Sequence, residues 1–295
     1  MLKFIRIPSL LAGGLLFISI GFSSCSTFDP PVTIPIYGHI DSVHFTTTYN
    51  LQGTASSKTP NVWVYLDDNP VGAFQLPCTF PMVGGNGTHN IKIFPAIILA
   101  NGPSATSMNP LYKYYSVTLN MNQGSKYTFQ PTSTYYPWVK FPYMEDFENE
   151  PPGNQPQYIT NGYGSTSTMI VTRTKGDVFE GKGSGMAAVD GTHSKYIGET
   201  IADTLPTANA TIYMEINYKA TTYFELGMFI GTDSINGLSP VEVLPSAVWK
   251  KMYVDLSTVV QKNNTIGPYH VYFALNLESG HTNDTLLLDN IKIVD

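Results

Sequence analysis

The chain has 295 residues with 16 basic and 22 acidic side chains, a formal net charge of −6. No basic stripe runs through it, and binding to a phosphate backbone depends on one, so nucleic acid is excluded as a partner. Charged residues make up only 13% against 19 tyrosines and 25 glycines, a mixture that disfavours long surface helices and predicts an all-β protein.

Residues 1–24 have a positive head (Lys3, Arg6), an apolar stretch from Ile7 to Ile20 broken by Gly13 and Gly14, and a close at Phe22-Ser23-Ser24-Cys25. The stretch is shorter than the roughly 20 residues of a membrane span and reads as a removed secretory signal. Ser23, Ser24 and Cys25 resemble the lipobox of bacterial lipoproteins, with Phe22 where that family carries Leu. The resemblance implies fatty chains such as palmitate on Cys25 and a membrane as partner; several chains hold a protein stably where one binds marginally. An ordinary signal cleaved near Ser23, with Cys25 a free thiol, is the other reading. Loss of Lys3 and Arg6 leaves 14 basic against 22 acidic residues. Cys78 is the second cysteine, so acylation of Cys25 excludes an intramolecular disulfide. Residues 25–35, with Pro30, Pro31 and Pro35, form a short tether.

Residues 36–140 are expected to fold as a small β-sandwich. Val62 to Leu66 is a predicted strand, Asp67-Asp68-Asn69-Pro70 a turn, and Val71 to Phe74 the returning strand. Thr88 to Phe94 alternates as a half-buried strand should, and Tyr112–Met121 and Lys126–Gln130 supply two more. The order VYLDDNPVG, LPCTFPM, GTHNIKIFPA resembles small exported β-sandwich modules of the PEGA type, which implies an Ig-like scaffold or spacer.

Residues 141–295 carry short strands bounded by Gly, Asn, Asp or Ser, among them Thr211–Tyr218, Trp249–Leu256 and Leu286–Ile293. Their spacing predicts an eight-stranded sandwich. WKKMYVDL and LLLDNIKI resemble the jelly-roll, galactose-binding-like modules attached to carbohydrate-active and adhesive surface proteins. The second domain is thus expected to be an eight-stranded jelly roll.

No sequence element identifies a reaction. Gly181-Lys182-Gly183-Ser184-Gly185 lacks the spacing of a nucleophile elbow, and the six histidines are scattered. Asp146, Glu148 and Glu150 would share one face of a strand, as in jelly-roll glycoside hydrolases, but in a different order and followed at once by Pro151-Pro152. The resemblance to jelly-roll binding modules implies instead a structural Ca²⁺ held by Asp146, Glu148 and Asp289; hard oxygen ligands suit that ion. Solvated acids are the plain alternative. Glycan binding needs aromatic faces beside amides and acids, which points to Tyr158, Tyr163, Tyr196 and Tyr223. Trp249 opens an alternating strand and is expected to pack against the sandwich. Asp-hydroxyl-apolar triplets at Ser42, Thr204, Ser234 and Thr285 resemble the O-glycosylation sequon of exported Bacteroidota proteins, although a turn before a strand uses the same residue types.

These features together predict an outer-membrane lipoprotein, at the cell surface in preference to the periplasmic face, that binds a glycan through its C-terminal jelly roll without catalysis. A structural or assembly subunit of an outer-membrane secretion, adhesion or gliding complex is the second reading, with a protein partner. A glycoside hydrolase is the third.

Overall fold

Val62, Val64 and Leu66 alternate with Trp63 and Tyr65, and in the computed structural model this stretch is a strand that buries the first set. The structure describes residues 34–102, 106–207, 210–231, 235–263 and 267–295. The first half contains β1 (Ile36–Ile40), β2 (His44–Phe45), the one-turn helix α1 (Tyr49–Gln52), β3 (Asn61–Leu66), β4 (Asn69–Gln75), β5 (Cys78–Met82) and β6 (Gly87–Ile97). It continues with β7 (Ser107–Met108), β8 (Tyr115–Met121), β9 (Lys126–Phe129) and β10 (Thr132–Ser133).

Two sheets enclose the first core. One has the order β5-β1-β9, with β1 parallel to β9; the other has the order β4-β3-β6-β7, with β8 also paired to β6. Ile36, Phe80 and Met82 of the first meet Val64, Ile91 and Ile93 of the second. Asp67 and Asp68 form a two-residue turn between β3 and β4, both at positive φ (49° and 65°). That is the turn whose twist suits a hairpin, and Asp adopts the left-handed region more readily than most residues.

The second half contains β11 (Tyr143–Glu145), β12 (Ile159–Asn161), β13 (Met169–Thr172), β14 (Ser184–Asp190), β15 (Lys195–Thr200), β16 (Tyr213–Ala220) and β17 (Phe224–Ile230). There follow β18 (Leu238–Val243), β19 (Ser246–Asp255), the helix α2 (Ser257–Lys262), β20 (Tyr269–Asn276) and β21 (Asn283–Val294). A six-stranded sheet, β13-β14-β21-β16-β19 with β11 also on β21, packs on a five-stranded one, β12-β15-β20-β17-β18. Among the described residues this half is a two-sheet sandwich as expected, but with eleven strands, β11 to β21, where the sequence predicts eight. β11 overlaps the acidic stretch read as a strand, whereas β12 and β13 were not anticipated, because three or four residues carry too little periodicity. Met214, Ile216 and Leu288 from one sheet meet Leu226, Phe273 and Leu275 from the other in the main core.

The two halves are packed together through a third core. Phe45, Leu111, Tyr112 and Tyr135 of the first half meet Tyr213, Tyr253 and Val294 of the second. Leu99 bridges Tyr253 in parallel, and Ala100 N–H donates to the Tyr253 carbonyl at 2.8 Å, so the first half extends the edge of β19. Within this contact lies Glu215, fully buried, whose Oε1 accepts the hydroxyls of Tyr112 (3.0 Å) and Tyr135 (2.9 Å). Its Oε2 stands 3.3 Å from Lys251 Nζ, an ion pair without hydrogen-bond alignment. The first half is therefore more than a spacer.

Candidate binding cleft

A cleft of about 360 Å³ opens where α1 meets the end of the C-terminal sandwich. Tyr49, Asn50, Gly53 and Thr54 come from the first half; Asp146, Glu148, Asn149 and Tyr158 come from the second, with Lys292 beneath. Gly53 ends the helix at φ 66°, and a Cβ there would lie 3.0 Å from Lys292 Cε, so both the turn and the close approach require glycine. Lys292 Nζ donates to the Thr54 carbonyl at 2.6 Å, and the Thr54 hydroxyl donates to Glu180. Tyr49 Oη donates to Asp146 Oδ2 at 2.8 Å, which ties the helix to the opposite half. Two aromatic rings remain open to solvent, Tyr49 at 46% and Tyr158 at 36% exposed.

Burial sets the protonation of the groups around this cleft. Glu145 is 4% exposed, and desolvation pushes its carboxyl up to about 7 against the opposing Phe147 amide. Lys292, also buried, is pushed down to about 7, with Glu215 and Glu180 opposing the fall. Asp289 is pushed up to about 7 by burial, although Ser184 Oγ donates to it at 2.6 Å and the Asn290 amide at 2.7 Å. Burial and the Asp146 bond together raise the Tyr49 hydroxyl.

The acids expected to hold calcium do not converge. Glu148 Oε1 accepts the amides of Lys182 (2.7 Å) and Gly183 (3.1 Å), and Asp146 accepts the Tyr49 hydroxyl and the Glu148 amide. Asp289 is 1% exposed and bonded to its own neighbours. Among the described residues no group of three or more His, Cys, Asp or Glu is placed to hold a metal ion. Nor do Asp146, Glu148 and Glu150 share a strand face, because β11 ends at Glu145 and Phe147 takes a positive φ of 58° that breaks the alternation.

Of the four tyrosines read as ligand contacts, the structure brings only Tyr158 into the cleft. Tyr196 is a correction: it lies at 0% exposure between the sheets, because its strand is buried on both faces. Tyr163 (72% exposed) follows β12, and Tyr223 (46%) sits between β16 and β17, both outside the cleft. Trp249 is half-buried outside the main core, with its ring 5.6 Å from that of Phe179 in the segment between β13 and β14. Ser42 and Thr204 are exposed, whereas Thr285 is half-buried in β21 with its amide bonded to Thr221 Oγ1 at 2.8 Å. Cys25 and Ser234 lie outside the described residues. Sequence reasoning missed Tyr49, Glu145 and Lys292, since nothing local signals that Tyr49 meets a partner 97 residues away.

A larger trough of about 610 Å³ runs along the outer face of the six-stranded sheet, floored by Ala220, Thr285 and Leu287. Among the described residues no aromatic side chain lines it, and Lys219 at its rim is engaged by Asp177 at 3.4 Å.

No known protein family matches the sequence, and no curated protein matches it. Among solved structures, a cyclase from Fischerella sp. TAU is similar at 9% identity and TM-score 0.42, over 53% of this chain and 96% of that one. A carbohydrate-binding module in complex with β-1,4-galactotriose is similar at 12% identity and TM-score 0.33, over 50% and 97%. The K1 cleaved adhesin domain of Lys-gingipain from Porphyromonas gingivalis is similar at 16% identity and TM-score 0.35, over 51% and 96%. With TM-scores below 0.5, the all-β class rests on the strands described above, and no ligand or activity is carried over.

Proposed function

We propose that this chain is a membrane-anchored, non-catalytic glycan-binding protein whose site is the cleft between its two halves. One observation carries the reading: Tyr49 and Tyr158 present exposed rings in a single cleft that also contains Asn50, Asn149, Asp146 and Glu148. Sugar rings stack on tyrosine faces, and amides and carboxylates take their hydroxyls. The lipobox-like Ser23-Ser24-Cys25 supports the anchor and an outer-membrane location.

A glycan array probed with the full chain tests the site. Tyr49→Ala and Tyr158→Ala are each expected to weaken binding by about fivefold or more, since an aromatic contact contributes ~1 kcal/mol beyond its area. An array with no bound glycan sinks the reading, and undiminished binding by both variants moves the site elsewhere. Fatty-acid labelling that survives Cys25→Ser would remove the anchor.

A further inference from the structure

The charge of the cleft narrows its ligand, a step that rests on the glycan-binding reading above. Three carboxylic acids, Glu145, Asp146 and Glu148, and one cation, Lys292, line it. Lys292 does not offset the acids at the mouth. It is 2% exposed, its Nζ is bonded to the Thr54 carbonyl at 2.6 Å, and the acids that act on it are Glu215 and Glu180, outside the cleft lining. Asp146 and Glu148 are only half-buried, and both bonds from the chain to Glu148 fall on Oε1.

Glu145 adds an independent observation. At 4% exposure it is part of the cleft wall; its Oε1 accepts the Phe147 amide at 2.8 Å, while Oε2 is buried without a hydrogen-bond partner among the described residues. Burial holds this carboxyl up to about 7, so at pH 6 the unbonded oxygen calls for a polar ligand group without setting its charge, and the selection for a cation falls to Asp146 and Glu148. The two tyrosine rings attract cations through their faces, and carboxylates form their strongest hydrogen bonds with charged donors. An ammonium group offers three donors and no acceptor, so it suits acids and rings at once. Uronate or sulfate groups would meet like charge.

We propose that the cleft selects sugars carrying a free amine, with Asp146 and Glu148 taking the ammonium and Tyr49 and Tyr158 taking the ring face. The test compares two probes of one linkage and length, a β-1,4-linked glucosamine oligomer and its fully N-acetylated counterpart. Each is titrated calorimetrically into the full chain at about pH 6, where the amines are charged.

The expected result is at least tenfold tighter binding of the free amine, lost in the Asp146→Asn/Glu148→Gln double variant. Gln in place of Glu148 keeps an acceptor oxygen for both bonds that fall on Oε1, and Asn in place of Asp146 keeps one for the Glu148 amide while its nitrogen can donate to the Tyr49 hydroxyl oxygen. The variant is therefore expected to fold, and an unchanged circular dichroism spectrum checks that it does. Equal or tighter binding of the acetylated oligomer overturns the amine selection and leaves glycan binding standing. So does binding of some other neutral or acidic glycan when neither oligomer binds. Absence of binding to every glycan overturns both.

Discussion

The contact between the halves is most sharply tested at Glu215. Replacing it by alanine removes the acceptor of two buried tyrosine hydroxyls, at 3.0 and 2.9 Å, and the partner of Lys251 Nζ at 3.3 Å. Hydrogen bonds to a charged acceptor contribute ~1.5–3 kcal/mol each, and a buried ion stripped of its partner costs ~3–5 kcal/mol. The three contacts share one carboxylate and cannot be added, so the expected loss is ~4–6 kcal/mol. For a chain of this size that lowers the melting temperature by roughly 7–10 °C. Lys251 is already held below the usual lysine range by burial, with Glu215 as the chief opposing influence, so in Glu215→Ala it is expected to lose its proton. Urea denaturation of Glu215→Ala, Glu215→Gln and the double variant Glu215→Met/Lys251→Met separates the contributions. Glutamine keeps an acceptor for both tyrosines and isolates the charge. The double methionine variant is expected to recover the part of the loss that comes from the stranded ion, because two apolar side chains of similar volume remove it, while the Tyr112 and Tyr135 hydroxyls still lack their carboxylate acceptor. A loss under about 1 kcal/mol for Glu215→Ala, or a double variant no better than the single, would refute the reasoning.

The remaining expectations concern the core and pH. Tyr196 Oη is buried without a partner among the described residues, so Tyr196→Phe is expected to hold or raise stability by ~1 kcal/mol in the same denaturation assay. Gly198→Ala would place a methyl against that hydroxyl and is expected to cost ~1–3 kcal/mol, less in the Tyr196→Phe background. Glu145 and Asp289, raised to about 7 from 4.5 and 3.8, favour folding below their unfolded values and lose that advantage as pH rises through 7. Lys292, lowered to about 7 from 10.5, disfavours folding below 7 and is relieved as pH climbs toward 10.5. Melting temperatures measured from pH 4.5 to 10 should therefore pass through a minimum near neutrality, and a maximum there would contradict these assignments.

The fold was legible where a local rule is decisive. Val62, Val64 and Leu66 alternate with aromatics, Asp67-Asp68 demands a turn, and the observed strands and left-handed φ values follow. Alternation also assigns Met214, Ile216 and Tyr218 to the core, which leaves Glu215 and Asn217 on the opposite face of β16. On sequence alone that face belongs to solvent. What buries Glu215 is Tyr112 and Tyr135, respectively 103 and 80 residues earlier, and no local pattern encodes that meeting. The cleft was half legible for the same reason. Asp146, Glu148 and Tyr158 follow from the acidic and aromatic composition of one stretch, whereas Tyr49, Glu145 and Lys292 acquire their roles only when the halves pack. Tyr196 misled because tyrosine is as much at home inside a sandwich as at a binding surface, and exposure is decided by which strand faces it.

β21 pairs with β11, β14 and β16, every one of which precedes it in the chain. Its neighbours on the six-stranded sheet cannot be joined until it emerges, and it also carries Lys292 and Val294 into the contact between the halves. Closure of the sandwich, burial of the inter-half network and completion of the cleft floor therefore fall on one late event in folding. A chain with this topology stays open while it is being made, and completes its cleft in the same step that gives it stability.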